Sequence, residues 1–122
     1  MSADSFYEMI VEMSSDEDKI VYENIDFKNK YQLSLNSGLG QSMDSYLQDL
    51  KLCINQWPFN IEDITNSVHL FYGLKDTSTV HSPDFGEELC LRNPLFKRKV
   101  YPEFGSALIW TRAQDILRVI KD

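Results

Sequence analysis

Apolar side chains recur at three- and four-residue spacing from the start of the chain, and Phe6, Met9, Ile10 and Met13 predict an opening amphipathic helix of about ten residues. A second helix is predicted after Ser14-Ser15, where Asp16, Glu17 and Asp18 fill a first turn that favours negative charge, with Val21, Tyr22 and Ile25 turned inward. Asn36-Ser37-Gly38-Leu39-Gly40 reads as a loop by composition, and the helix is expected to end before it. Ser42 suits the cap of a third helix, whose stripe of Met43, Tyr46, Leu47, Leu50, Cys53, Ile54 and Trp57 is the clearest in the chain and stops at Pro58. The aromatics of Trp57-Pro58-Phe59 are expected to anchor the following connector to the core.

The pattern then changes. A mostly apolar run from about Ser67 to Tyr72 predicts a strand of a sheet covered on both faces. Ser82-Pro83-Asp84 is a helix start, with a cap, a proline at the first helical position and an acid in the first turn, and Asn93-Pro94 ends that helix near Arg92. A second strand, Phe96 to Tyr101, precedes a helix carrying Ile109, Ala113, Ile116, Leu117 and Ile120 on one face. A helix between the strands allows a right-handed crossover, so the strands are expected to be parallel. The predicted fold class is therefore α/β: a helical segment, residues 1–66, packed on a strand-helix-strand-helix unit, residues 67–122, as one domain. Two parallel strands leave open edges, which either a partner chain or the chain's own helices and loops must cover.

Composition narrows the functional classes. The net charge of −7 is uneven: residues 1–66 hold twelve acidic and four basic side chains, residues 67–122 seven and eight. An acidic surface repels phosphate backbones and anionic lipids, which argues against nucleic-acid and membrane partners. The basic cluster Arg92, Lys97, Arg98 and Lys99 reads first as edge-strand charge that blocks sheet-to-sheet aggregation, and second as an anion or acidic-partner site. Cys53 and Cys90 fall in apolar helical patterns and read as core residues, too few for a disulfide scaffold. No stretch approaches the roughly 20 apolar residues of a membrane span, and the expected location is the cytoplasm.

Candidate chemistry centres on Val68-His69-Leu70-Phe71-Tyr72-Gly73-Leu74-Lys75-Asp76, an apolar strand that ends in a glycine turn and delivers a carboxylate three residues later. Asp76 equally suits a turn residue that caps its own loop. Val100-Tyr101-Pro102-Glu103-Phe104-Gly105-Ser106 repeats the plan of strand into turn. His69 within the first strand reads as packed or edge-lying, and His81, before a helix cap, as a loop residue facing solvent. Asp16, Glu17, Asp18 and Glu23 lack the spacing and central glycine of a calcium loop and read as a solvated helix face. Gly38-x-Gly40 has no leading strand and no third glycine, so no dinucleotide site is expected; neither metal nor cofactor is called for.

Taken in order, a helix ending in Trp-Pro-Phe, then Ile61-Glu62-Asp63-Ile64, an apolar strand, Gly73-x-x-Asp76, a helix and a second strand ending Val100-Tyr101-Pro102 resemble the carboxyl-terminal portion of the α/β-hydrolase superfamily. The resemblance covers residues 43–122, and residues 1–42 would then be part of a helical lid. It implies that Asp76 is the acid of a Ser-His-Asp triad, which orients a histidine and stabilises it when protonated. It also implies a histidine after the glycine that follows the last strand, where Ser106 stands instead. A hydroxyl cannot serve as the general base. The nucleophile signature Gly-x-Ser-x-Gly is absent, and Gly40-Gln41-Ser42-Met43-Asp44 matches only its first half. The expectation is a truncated hydrolase-like protein without hydrolytic activity of its own. It would act by self-association or through a complementing chain at a sheet edge. The alternative is half of a split serine ester hydrolase, in which Asp76 is the acid and another chain supplies nucleophile, oxyanion hole and histidine.

Overall fold

The computed structural model describes residues 2–39, 43–78 and 81–121. Among them are seven helices and two strands: α1 (Ala3–Met13), α2 (Asp16–Tyr22), α3 (Ile25–Leu39), α4 (Met43–Ile54), β1 (Val68–Gly73), α5 (Glu87–Arg92), β2 (Phe96–Tyr101), α6 (Leu108–Thr111) and α7 (Ala113–Lys121). A 3-10 turn, Ile61–Asp63, precedes β1. The class is mixed α/β with a two-stranded parallel sheet, in register from Val68 opposite Phe96 to Gly73 opposite Tyr101. β2 occupies the predicted residues because Asn93-Pro94 and Pro102 bound it on both sides.

The helical segment departs from its sequence pattern in four places. The long second helix is two helices, because the Asn24 side chain accepts hydrogen bonds from the amides of Asp26 and Phe27, each 3.1 Å, and so starts a new helix after Glu23. α3 then runs through the predicted loop as far as Leu39; Gly38 lies in open space, and residues such as Asn, Ser and Gly cost only about 1 kcal/mol each in a helix already nucleated. The inward face of α1 is Ala3 and Tyr7 rather than the Phe6, Met9, Ile10 and Met13 stripe, because the Tyr7 hydroxyl donates to the buried carbonyl of Tyr22. The predicted core stripe of α4 faces outward: Ile54 is 72% exposed, and Cys53 lies exposed beside it instead of in a core. The cap expected at Ser42 falls outside the described residues.

The connector likewise does not anchor through its aromatics. Trp57 and Phe59 stack on each other at 5.2 Å while both remain half exposed. Burial there falls to Ile61, held by Asn93, whose side-chain amide donates to the carbonyls of Ile61 and Ile64, both at 2.9 Å. The core joins the two halves of the chain through rings. Tyr7, Tyr22, Phe27 and Tyr31 pack edge-on, tilted or stacked, and Phe27 meets Trp110 of α6 edge-on at 5.3 Å. The predicted final helix is broken at Arg112, which pairs with Asp115 on the first turn of α7.

Candidate functional site

The chain turns sharply after β1. The Asp76 amide donates to the Gly73 carbonyl at 3.2 Å, and the Lys75 amide donates to Phe104 at 2.9 Å, which locks the turn against the turn after β2. One Asp76 carboxylate oxygen accepts from the Ser78 amide at 2.9 Å, the loop-capping role open to an aspartate in a turn. The other lies 2.5 Å from Nδ1 of His81. The carboxylate is 11% exposed and the imidazole 50%. This is a partly buried acid holding a histidine that reaches toward solvent. Sequence reading separated these two residues by placing His81 in solvent; the signal that joins them is the five-residue spacing inside one loop.

Asp76 and His81 stand in a cleft of about 440 Å³ whose walls include Phe71, Tyr72, Leu108, Ile109 and Ile116, with Ser82, Gly105 and Ser106 as further lining. Ser106 donates to Asp18 at 3.3 Å. Asp18 is the chief correction to the acidic helix face, being only 1% exposed. It fits because Gly105 has no side chain: a Cβ there would overlap the Asp18 carboxylate and the Ser15 hydroxyl. Its second oxygen has no hydrogen-bond partner among the described residues. Glu17 pairs with Lys75, which also meets Glu103 at 3.3 Å; this pairing holds the Glu17 carboxyl below and the Lys75 ammonium above its ordinary range. The Thr77 hydroxyl donates to the Met13 carbonyl. Helix α2 is thereby fastened over the carboxyl ends of both strands.

Burial pushes the Tyr22 phenol up to about 12, with neighbouring Tyr31 and Asp18 adding to the shift. The folded state thus favours the neutral phenol, and this contribution is complete below the ordinary tyrosine range near pH 10 and is lost as pH rises toward 12. Urea midpoints measured between pH 10 and 12 are expected to fall, and to fall less steeply in Tyr22→Phe. Part of the fall should remain in that variant, because burial also raises Tyr7, Tyr31 and Tyr72.

The remaining sequence candidates are placed as follows. His69 is exposed on β1, opposite Lys97. Arg92 forms a two-pronged pair with Glu62 at 2.8 and 3.2 Å, and Arg98 binds Glu87 and the carbonyls of Asp84 and Phe85. Lys97 and Lys99 are exposed on β2, where their charge sits on strand positions open to solvent. Among the described residues no cluster of His, Cys, Asp and Glu is arranged to hold a metal ion, and no helix is long and apolar enough to cross a membrane. Gly40, Gln41 and Ser42, the half-match to a nucleophile turn, lie outside the described residues. Compared with protein-family models, curated proteins and solved structures, the chain gives no significant match.

Proposed function

We propose that this chain is an α/β-hydrolase-like module without serine-hydrolase activity of its own, working through a second strand-bearing chain, in the first instance another copy of itself. The observation that carries the reading is the two-stranded parallel sheet. A parallel sheet is stable when buried on both faces, and two strands alone leave unpaired amide and carbonyl groups along their outer edges. The apolar surface left open supports it: Tyr46, Leu47 and Leu52 on α4, and Ile109, Trp110, Leu117 and Ile120 on α6 and α7, are all exposed. Such surface on a small domain favours association. The charge pattern of β2 fits an edge that is kept free, which directs pairing to β1. On this reading the protein works in the cytoplasm, in keeping with its two free cysteines.

Light scattering across a wide concentration range is expected to give a mass above the 14.2 kDa of one chain, with β1 amides gaining protection from hydrogen exchange as the complex forms. A monomer at every concentration, with no strand-bearing chain recovered in stoichiometric amount, would sink the reading. A split ester hydrolase is the second reading, favoured by the placement of the Asp76 carboxylate in a cleft at the end of β1. Under it, a captured serine hydrolase labelled by a fluorophosphonate should lose activity when paired with Asp76→Ala; full activity with that variant would exclude it.

A further inference from the structure

Helix α4 stands in solvent. From Asp44 to Ile54 every residue is exposed except Leu50, which is half-buried, and among the described residues no other helix or strand packs along α4; Tyr46 meets Phe6 of α1 edge-on at 5.7 Å. A helix of this length is marginal in water by itself and draws its stability from an apolar face pressed on something else. Helix α7 has the same shortfall: it packs against α6, while Leu117 and Ile120 remain 56% and 75% exposed. We propose that α4 of one copy docks on α7 of a second copy, apolar stripe against apolar stripe. This rests on the reading that another copy is the partner, and it adds two helix faces to the strand edge.

The two faces match in shape. Tyr46, Leu47, Leu50 and Ile54 recur at helical spacing on one side of α4, and Ile116, Leu117 and Ile120 do so on α7. At about 1.5 Å per residue α4 runs for about 18 Å and α7 for about 14 Å, so the shorter stripe lies within the longer. Charge then decides which helix covers which. α4 carries Asp44, Asp49 and Lys51 in the acidic half of the chain, whereas on α7 two cations, Arg112 and Arg118, share the single acid Asp115. Setting α4 on α4 brings acid to acid, and α7 on α7 brings base to base; α4 on α7 opposes the two charges. Laid antiparallel, the pair also opposes the helix dipoles and carries Asp44, in the first turn of α4, toward the Arg118 end of α7. The apolar side chains supply the affinity, and the exposed charges, worth little as bonds, set the pairing. Each copy holds one α4 and one α7, so a two-fold dimer makes the contact twice.

The test is sedimentation equilibrium of the full chain. Leu47→Gln on α4 and Ile120→Gln on α7 should each raise the dissociation constant by about 10-fold or more. Leu91→Gln, 81% exposed on α5 and outside both stripes, should leave it unchanged. Both stripe positions are exposed in the single chain, so the variants should fold, which circular dichroism checks. The deciding arm is their mixture. A Leu47→Gln chain keeps a sound α7 and an Ile120→Gln chain a sound α4, so the mixed pair makes one intact contact and should associate more tightly than either variant by itself. The α4 amides should gain protection from hydrogen exchange only at concentrations where the complex forms. A complex that either substitution leaves unchanged, or a mixture no tighter than its components, would overturn the docking of α4 on α7 while self-association stands. Protection of α4 in a monomeric sample would show the helix covered by its own chain and would also overturn the proposal. A monomer at every concentration would overturn the docking and self-association together.

Discussion

Replacing Asn93 with aspartate is expected to remove a large share of the stability of this fold. The side chain is 4% exposed and makes three hydrogen bonds, donating to the carbonyls of Ile61 and Ile64 and accepting from the Leu95 amide at 3.0 Å. It fastens the 3-10 turn before β1 to the turn before β2, while its backbone amide caps α5 by donating to Leu89. Truncation to alanine would strand buried carbonyls and cost about 2–3 kcal/mol. A carboxylate is worse than truncation, since it offers no donor and turns a negative charge on two carbonyl oxygens. Removing the partner of a buried group and leaving an uncompensated charge costs about 3–5 kcal/mol, against a total near 5–15 kcal/mol for an ordinary domain. Urea unfolding of both variants checks this. Asn93→Asp should be the weaker of the two at neutral pH; burial beside two carbonyls raises the introduced carboxyl above its ordinary range in the folded state, so the gap should narrow as pH falls from neutral and be closed by about pH 4, where the carboxyl holds a proton and a donor in both states. An aspartate variant as stable as the alanine one would show that the site opens to water and that the three bonds do not hold the two turns together.

The strands were the legible part of this chain, and the reason is local. Pro94 and Pro102 bracket Phe96–Tyr101, and Gly73 closes β1 one residue beyond the predicted end. Helices α1 and α4 were legible as helices but not in orientation. An apolar stripe indicates which face avoids water in a chain whose apolar surface is fully used; here Met13, Ile54, Leu117 and others are left open, so the stripe and the inward face come apart. Asp18 could not be found from sequence. An acid in the first turn of a helix is ordinarily solvated, and what buries this one is a glycine far along the chain whose missing side chain makes the space. The Asp76 and His81 contact was within reach of local reasoning, since both residues lie in the loop that follows β1. It was missed because the α/β-hydrolase resemblance directed the search for a histidine to the turn after β2, where Ser106 stands.

Gly73 is where these separate strands of the structure meet, and Gly73→Ala is expected to destabilise the protein by about 3 kcal/mol or more, at the upper end of what overpacking costs. A Cβ at this position would overlap the carbonyl oxygens of Phe104 and Gly105. Those atoms are backbone, so no rotamer change relieves the overlap. The two turns would have to separate, which breaks the bond from the Lys75 amide to Phe104 and strains that from the Leu74 amide to Tyr101 at 3.1 Å. Gly105 would move with them, and with it the pocket that accepts Asp18 and the cleft floor beside Ser106. Gly38 is the matched control. It lies within α3 with nothing around it, so Gly38→Ala should stabilise by about 0.5–1 kcal/mol through the lower backbone entropy of alanine in the unfolded chain. The pair is measured together by urea unfolding: opposite signs confirm that close backbone approach governs position 73. A Gly73→Ala protein with an unchanged midpoint would mean that the two turns do not approach as closely as described, and the registry between α2, the β1 turn and the β2 turn would have to be redrawn.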